Sequence, residues 1–212
     1  LSNYLKNVDI NNFKRDPVNF NYAIEHIGDT QVVIGKKLYE NIKTLNIISN
    51  EQLNELININ ENIGNSYKYK ISSEINNCNS NTLKYIYFGL LILNDLKSKN
   101  MVNNFNFIEI GGGYGGQCLI LLKLFEMFCI NINNYILIDL ENVVNFQNKY
   151  LKINNQHKKC VFISYNNFKD YNYNKNNYLF SCYSFNELLP SIQDNYYKYL
   201  FPYIKNAIYF HI

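Results

Sequence analysis

The 212-residue chain lacks most of the features that give a function away at once. It has no run of about 18 apolar residues, so no bilayer-spanning helix is expected, and no secretory leader is recognisable. Its five cysteines, Cys78, Cys118, Cys129, Cys160 and Cys182, form no C-x-x-C pair and have no zinc-type spacing. No other grouping of His, Cys, Asp and Glu suggests a metal site. Three of the thiols stand inside apolar runs and read as buried and free, in a reducing, cytoplasmic compartment. Charge of either sign is also in short supply. Twenty Lys and Arg against seventeen Asp and Glu leave a net charge of +3, with the lysines scattered rather than striped, which argues against a nucleic-acid partner. No internal repeat is present.

What is abundant is apolar and aromatic surface, 47% and 16% of the residues respectively. That is ample for the core of one ordinary domain and excludes global disorder. About one residue in five is Asn. The asparagines run through periodic apolar sequence, which fits the codon usage of an AT-rich genome better than an aggregation-prone tract. The sequence begins at Leu1 and stops just after an apolar stretch, Ala207 to Ile212, so it is expected to be part of a longer protein.

The first hundred residues read as a helical segment with polar joints. Asp16-Pro17 suits a helix start, followed by Phe20, Ile24 and Ile27 at helical spacing. A second amphipathic helix over 51–63 carries Leu53, Leu56, Ile57 and Ile63, with Ser49 or Asn50 as its cap, and Gly64-Asn65 ends it. Ser66 to Asn81 is polar and irregular and reads as a long loop. Thr82 to Leu96 is a helix with a broad apolar face. From residue 101 strand and helix alternate: strands at 105–110, 135–140, 160–164, 178–182 and 207–212, helices at 117–128, 143–151 and 191–201. The strands are continuously apolar, as in a parallel sheet covered on both faces. Right-handed crossovers place every strand's C-terminal end on one rim, where a ligand binds at the point of strand-order reversal.

Phe105 to Gln117 is the stretch that carries chemistry. A strand ends in Glu109-Ile110 and breaks into Gly111-Gly112-Gly113-Tyr114-Gly115-Gly116-Gln117, and an apolar helix follows at once. Glycines allow positive φ and close approach of a ligand to the backbone, and the helix start supplies N–H groups and a positive dipole end. Two patterns fit. Gly111-x-Gly113-x-x-Gly116 satisfies the dinucleotide fingerprint, whereas Glu109-x-Gly111-x-Gly113-x-Gly115 satisfies the acid-led pattern of S-adenosylmethionine-dependent methyltransferases. Glu109 favours the second, because a carboxylate suits a cationic ligand end and repels a pyrophosphate.

Asp139 closes the second strand, where a carboxylate can accept both ribose hydroxyls; it could equally cap the following helix. Asn166, after the third strand, is placed to contact an adenine edge. The fourth strand exits through Tyr183-Ser184-Phe185-Asn186-Glu187, which puts Glu187 near a transferable methyl group as a candidate general base, ahead of His211 in the last strand. His26 and His157 have no context that singles them out.

Phe107 to Gln117 resembles the first motif of the sugar O-methyltransferase family. The resemblance continues through Tyr135-Ile136-Leu137-Ile138-Asp139-Leu140, a helix ending Lys149-Tyr150-Leu151, and Tyr183 to Glu187 with Gln193 and Tyr196 downstream. Upstream it includes Gly64-Asn65 and the Thr82–Tyr85 helix start, so it spans roughly residues 60 to 200. It implies a Rossmann-like class I methyltransferase fold, S-adenosylmethionine as donor and a sugar hydroxyl as acceptor, in glycan or polysaccharide synthesis. By position, Glu109, Gly111, Gly113, Gly115 and Asp139 become cofactor contacts. Gly112 and Tyr114 belong to the same turn, and Gln117 matches without an assigned role. Cys182 and Asn186 stand where the family has asparagine and serine. The family also continues past a fifth strand.

The expected architecture is therefore an α/β parallel sheet with helices on both faces. A helical segment over residues 1–100 precedes a cofactor-binding domain over 101–212, with further C-terminal strands beyond. The other readings are an NAD(P)-dependent sugar-modifying enzyme, which lacks a Tyr-x-x-x-Lys pair after the fourth strand, and a non-catalytic cofactor-binding or scaffold domain.

Overall fold

The computed structural model describes residues 7–15, 29–174 and 176–210. The expected helix at 18–27, His26 and His211 lie outside them. Among the described residues three α-helices precede the first strand: α1 (Asp29–Leu45), α2 (Asn50–Glu61) and α3 (Ser80–Ser98). Then follow β1 (Asn103–Ile110), α4 (Gly116–Met127), β2 (Asn131–Asp139), α5 (Glu141–Ile153), β3 (Cys160–Ser164), β4 (Asn177–Cys182), α6 (Ser184–Glu187), α7 (Pro190–Tyr199) and β5 (Ile204–Phe210). Ser49 starts α2 with a full capping box, its hydroxyl accepting from Gln52 N–H while the Gln52 side chain accepts from Ser49 N–H.

The five strands form one parallel sheet in the order β3-β2-β1-β4-β5. Strand order reverses between β1 and β4, the crevice position of a doubly wound Rossmann-like fold. The alternation of side chains along β1 divides the core. Phe105 and Phe107 enter the layer formed with α3, α4 and α5, joining Leu96, Leu119, Leu121, Tyr135 and Tyr150. Ile108 and Ile110 enter the opposite layer with Phe168, Phe185, Tyr196 and Leu200. Both faces are covered, which is why Phe105 to Ile110 is buried at every position and apolar on both faces apart from Asn106 and Glu109.

The segment between α2 and α3 is a loop, as expected, with α3 starting at Ser80. It is tied to the fold: Tyr69 and Cys78 exchange backbone hydrogen bonds of 3.0 and 3.1 Å, and Ile71, Ile75 and Cys78 are buried against the helical layer. One expectation changes. Not all the thiols are inside: Cys78 and Cys118 are buried and Cys160 and Cys182 partly so, but Cys129 is exposed in the left-handed turn after α4. Among the described residues no helix is long and apolar enough to cross a membrane, and no His/Cys/Asp/Glu group is arranged to hold a metal ion.

Candidate functional site

The site is built on the turn between β1 and α4, at the strand-order reversal. Gly111, Gly113 and Gly115 all take positive φ, at 73°, 54° and 96°. Gly115 caps α4 without a side-chain bond, so the first N–H groups of that helix have no intrahelical acceptor. At Gly111 a side chain is excluded twice over, since a Cβ there would stand 2.1 Å from Ser184 Oγ. Gly116 has a different reason to be glycine: the Tyr114 ring folds back over it, 2.5 Å from where a Cβ would lie.

Tyr114, a candidate cofactor contact, points away from the rim. It is 1% exposed, and its hydroxyl donates to Asn60 Oδ1 at 3.1 Å. Its ring meets Phe13 and Tyr150 edge-on, with centroids 5.2 and 5.1 Å away. The Lys14 ammonium lies 4.8 Å from its centroid. Tyr150 donates to the same Asn60 Oδ1 at 3.0 Å, and Asn60 in turn donates to Thr82 Oγ1 at 2.7 Å. Tyr114 thus anchors the turn from below.

Glu109 also lies beneath the turn. Its side chain is 2% exposed and accepts the Tyr135 hydroxyl at 2.7 Å. A Cβ on Gly112 would approach its carboxyl carbon to 3.2 Å. Burial pushes its pKa up to about 8; the Tyr135 hydrogen bond opposes that rise and the nearby Asp139 charge adds to it. At neutral pH the group is mostly uncharged.

Asp139, by contrast, is half-buried at the rim. Its Oδ1 accepts Leu140 N–H at 2.8 Å and its Oδ2 accepts Gln147 Nε2 at 3.3 Å. Desolvation raises its pKa to about 6 against the lowering effect of Leu140 N–H, the Gln147 amide and Gly113 N–H. It does not cap α5, whose N-cap is Leu140 with no side-chain bond. Gln147 ties the turn to this carboxylate, because its Nε2 also donates to Gly113 O at 2.9 Å.

The β4 exit is pinned to the turn from the other side. Ser184 Oγ donates to Ile110 O at 2.7 Å and Ser181 Oγ to the same oxygen at 3.2 Å. Between them Tyr183 takes φ 62° and ψ −39°, a conformation that costs a non-glycine residue about 1–3 kcal/mol and tends to persist at functional sites. Glu187 is exposed at the end of the short α6 that follows. Asn166 is exposed in the turn after β3, with only its backbone N–H engaged, to Ser164 Oγ at 3.2 Å. His211 falls outside the described residues.

The structure therefore brings Gly111, Gly112, Gly113, Gly115 and Asp139 together at the rim, sets Glu109 and Tyr114 beneath it, and leaves Glu187 and Asn166 on flanking turns. Sequence reasoning missed Asn60, Gln147 and Ser184. Asn60 and Gln147 carried a signal, since each occupies a polar step in an apolar helical stripe, after Leu53, Leu56 and Ile57 in α2 and between Val143 and Tyr150 in α5.

No protein-family model matches the chain, and no curated protein does. Similar folds occur among solved structures. The methyltransferase domain of bacterial CtHen1 is 18% identical over 57% of this chain and 63% of that one, with a TM-score of 0.45. The mitomycin 7-O-methyltransferase MmcR is 12% identical over 61% and 39%, at 0.40. The S-adenosylmethionine-dependent methyltransferase SibL, in its apo form, is 10% identical over 90% and 51%, also at 0.40. All three are methyltransferases, but at these scores the likeness carries no argument about chemistry. The chain spans between 39% and 63% of the length of these three structures.

Proposed function

We propose that the rim formed by the β1–α4 turn and the end of β2 binds S-adenosylmethionine, and that the protein transfers the methyl group to a hydroxyl of a sugar in glycan or polysaccharide synthesis. The observation that carries the donor half is the pairing of a three-fold positive-φ glycine turn with Asp139, a half-buried carboxylate joined to that turn through Gln147. The residues fit the cofactor. The turn offers backbone where side chains would collide, and Asp139 keeps acceptor capacity for a vicinal diol. Bound there, S-adenosylmethionine supplies an electrophilic methyl group on a cationic sulfur.

The chain's own part is positioning and proton transfer. Asp139 orients the nucleoside, and the turn and the first N–H groups of α4 receive the amino-acid end. Ser184 holds the β4 exit against Ile110 O, so that α6 starts at a fixed place beside Gly111. Glu187, on that helix, takes the proton of the attacking hydroxyl. The sugar acceptor rests on the sequence resemblance at Tyr183 to Glu187. His211 is the second candidate for the base.

Calorimetric titration tests the donor half. Binding of S-adenosylhomocysteine without binding of NAD(H) supports it, and the reverse result replaces it with the dinucleotide reading. A protein that binds the nucleoside yet methylates no glycan would act as a cofactor-binding scaffold.

A further inference from the structure

Two glutamines flank the glycine turn, and each is buried with half of its carboxamide unused. Gln147 spends its amide nitrogen on Gly113 O and Asp139, and its Oε1 has no partner. Gln117, 3% exposed, spends its nitrogen on Tyr85 O at 3.0 Å, and its Oε1 has no partner either. Native interiors seldom leave such an oxygen without a donor, because its lost hydration is not replaced.

The two positions differ in what they face. Gln147 is enclosed behind the turn, on the β2 side, at 0% exposure. Gln117 stands in the first turn of the twelve-residue α4, on the side facing α3. Near it are Tyr85 and, beyond Tyr85, the Lys84 ammonium 5.7 Å from the Tyr183 ring at the β4 exit. Asp139 is on the opposite side of β1, because β2 and β4 are its two neighbours in the sheet. A nucleoside held by Asp139 and lying along the glycine turn would extend its other end toward β4 and α3. In the proposed cofactor that end is an amino acid, with a carboxylate for the helix N–H groups and an ammonium that needs acceptors. The nitrogen of the Gln117 carboxamide is taken up by Tyr85 O of α3, which leaves the enclosed Oε1 as the group without a partner on this side of the turn.

We propose that Gln117 is a binding residue for the amino-acid end of the methyl donor, with its Oε1 accepting a hydrogen bond from the α-ammonium. The inference rests on the donor reading above, and the experiment separates the two. The probes are S-adenosylhomocysteine and its deaminated analogue, titrated against the wild type and Gln117→Met, which keeps the side-chain length and removes the acceptor. The variant should bind S-adenosylhomocysteine roughly tenfold to a hundredfold more weakly, with the deaminated analogue changed by less than about threefold. Equal weakening of both probes, or of neither, overturns the assignment to the ammonium. A wild type that binds neither probe overturns the donor reading itself, and this one with it. Should Gln117→Met not fold, the side-chain amide resonance of Gln117 in the wild type decides. It should move on adding S-adenosylhomocysteine and stay put with the deaminated analogue; identical responses to both refute the proposal.

Discussion

Replacing Glu109 with Gln should change how stability depends on pH. The folded protein holds this carboxyl at a pKa of about 8, against an ordinary value of 4.5, chiefly through desolvation. Between those two values the folded chain keeps a proton that the unfolded chain has released, so stability falls as pH rises. Each pH unit in that window is worth 1.36 kcal/mol, and the full interval is on the order of 5 kcal/mol, most of the stability of a marginal domain. Asp139 adds a slope of the same sign, but only up to about pH 6, so among the described residues pH 6 to 8 is the window in which the Glu109 shift acts. Gln reproduces the shape and neutrality of the protonated group and can still accept the Tyr135 hydroxyl. Urea denaturation of wild type and Glu109→Gln at half-unit steps from pH 5.5 to 9 measures the difference. The wild type should lose roughly 2–3 kcal/mol between pH 6 and 8, while the variant stays nearly flat and becomes the more stable protein at the alkaline end. Parallel curves for the two proteins would show that Glu109 is charged in the fold, and the account of the buried carboxyl would be wrong.

Two further outcomes are expected. Gly111→Ala must place a Cβ at positive φ and against Ser184 Oγ, at about 1–2 kcal/mol for the backbone alone. Its melting temperature should fall by several degrees, and adding Ser184→Gly should recover part of the loss; no recovery would mean that the contact is relieved elsewhere. Glu187→Gln should lower the turnover of methyl transfer by a factor of about 10²–10⁴ while S-adenosylhomocysteine binds as before. Unchanged turnover would rule Glu187 out as the base.

The fold was legible because its strands announce themselves. Phe105–Ile110 and Tyr135–Leu140 carry apolar residues on both faces, broken only by Asn106, Glu109 and Asp139, as two covered faces require, and the observed strands begin two to four residues earlier because the sheet carries on through asparagines such as Asn103 and Asn131. The rim geometry was legible because a glycine cluster and a strand-end carboxylate stand out in sequence, although Asp139 read equally well as a cap of the next helix. What stayed hidden was the direction in which side chains turn. The motif contains both Tyr114 and Glu109, and nothing in their spacing says that the ring folds back over Gly116 or that the carboxyl sinks beneath Gly112. Those outcomes depend on partners far away in the chain, Asn60 for one and Tyr135 for the other. The segment 66–81 was legible as a loop, but its polar majority hid Ile71, Ile75 and Cys78, the residues that hold it down.

Asn60 ends the matter of where this chain can be cut. One amide oxygen at the end of α2 receives hydroxyls from the glycine turn and from α5, while its nitrogen reaches Thr82 in α3 and its backbone carbonyl takes the Lys14 ammonium. Phe13, Leu96, Phe105 and Tyr150 belong to one apolar cluster. A fragment starting at residue 101 would retain all five described strands and every glycine of the turn, yet leave two tyrosine hydroxyls and an apolar face without their counterparts. Such a fragment should aggregate or collapse loosely rather than fold with a formed turn. The helices ahead of the sheet are thus the mould in which the turn is cast.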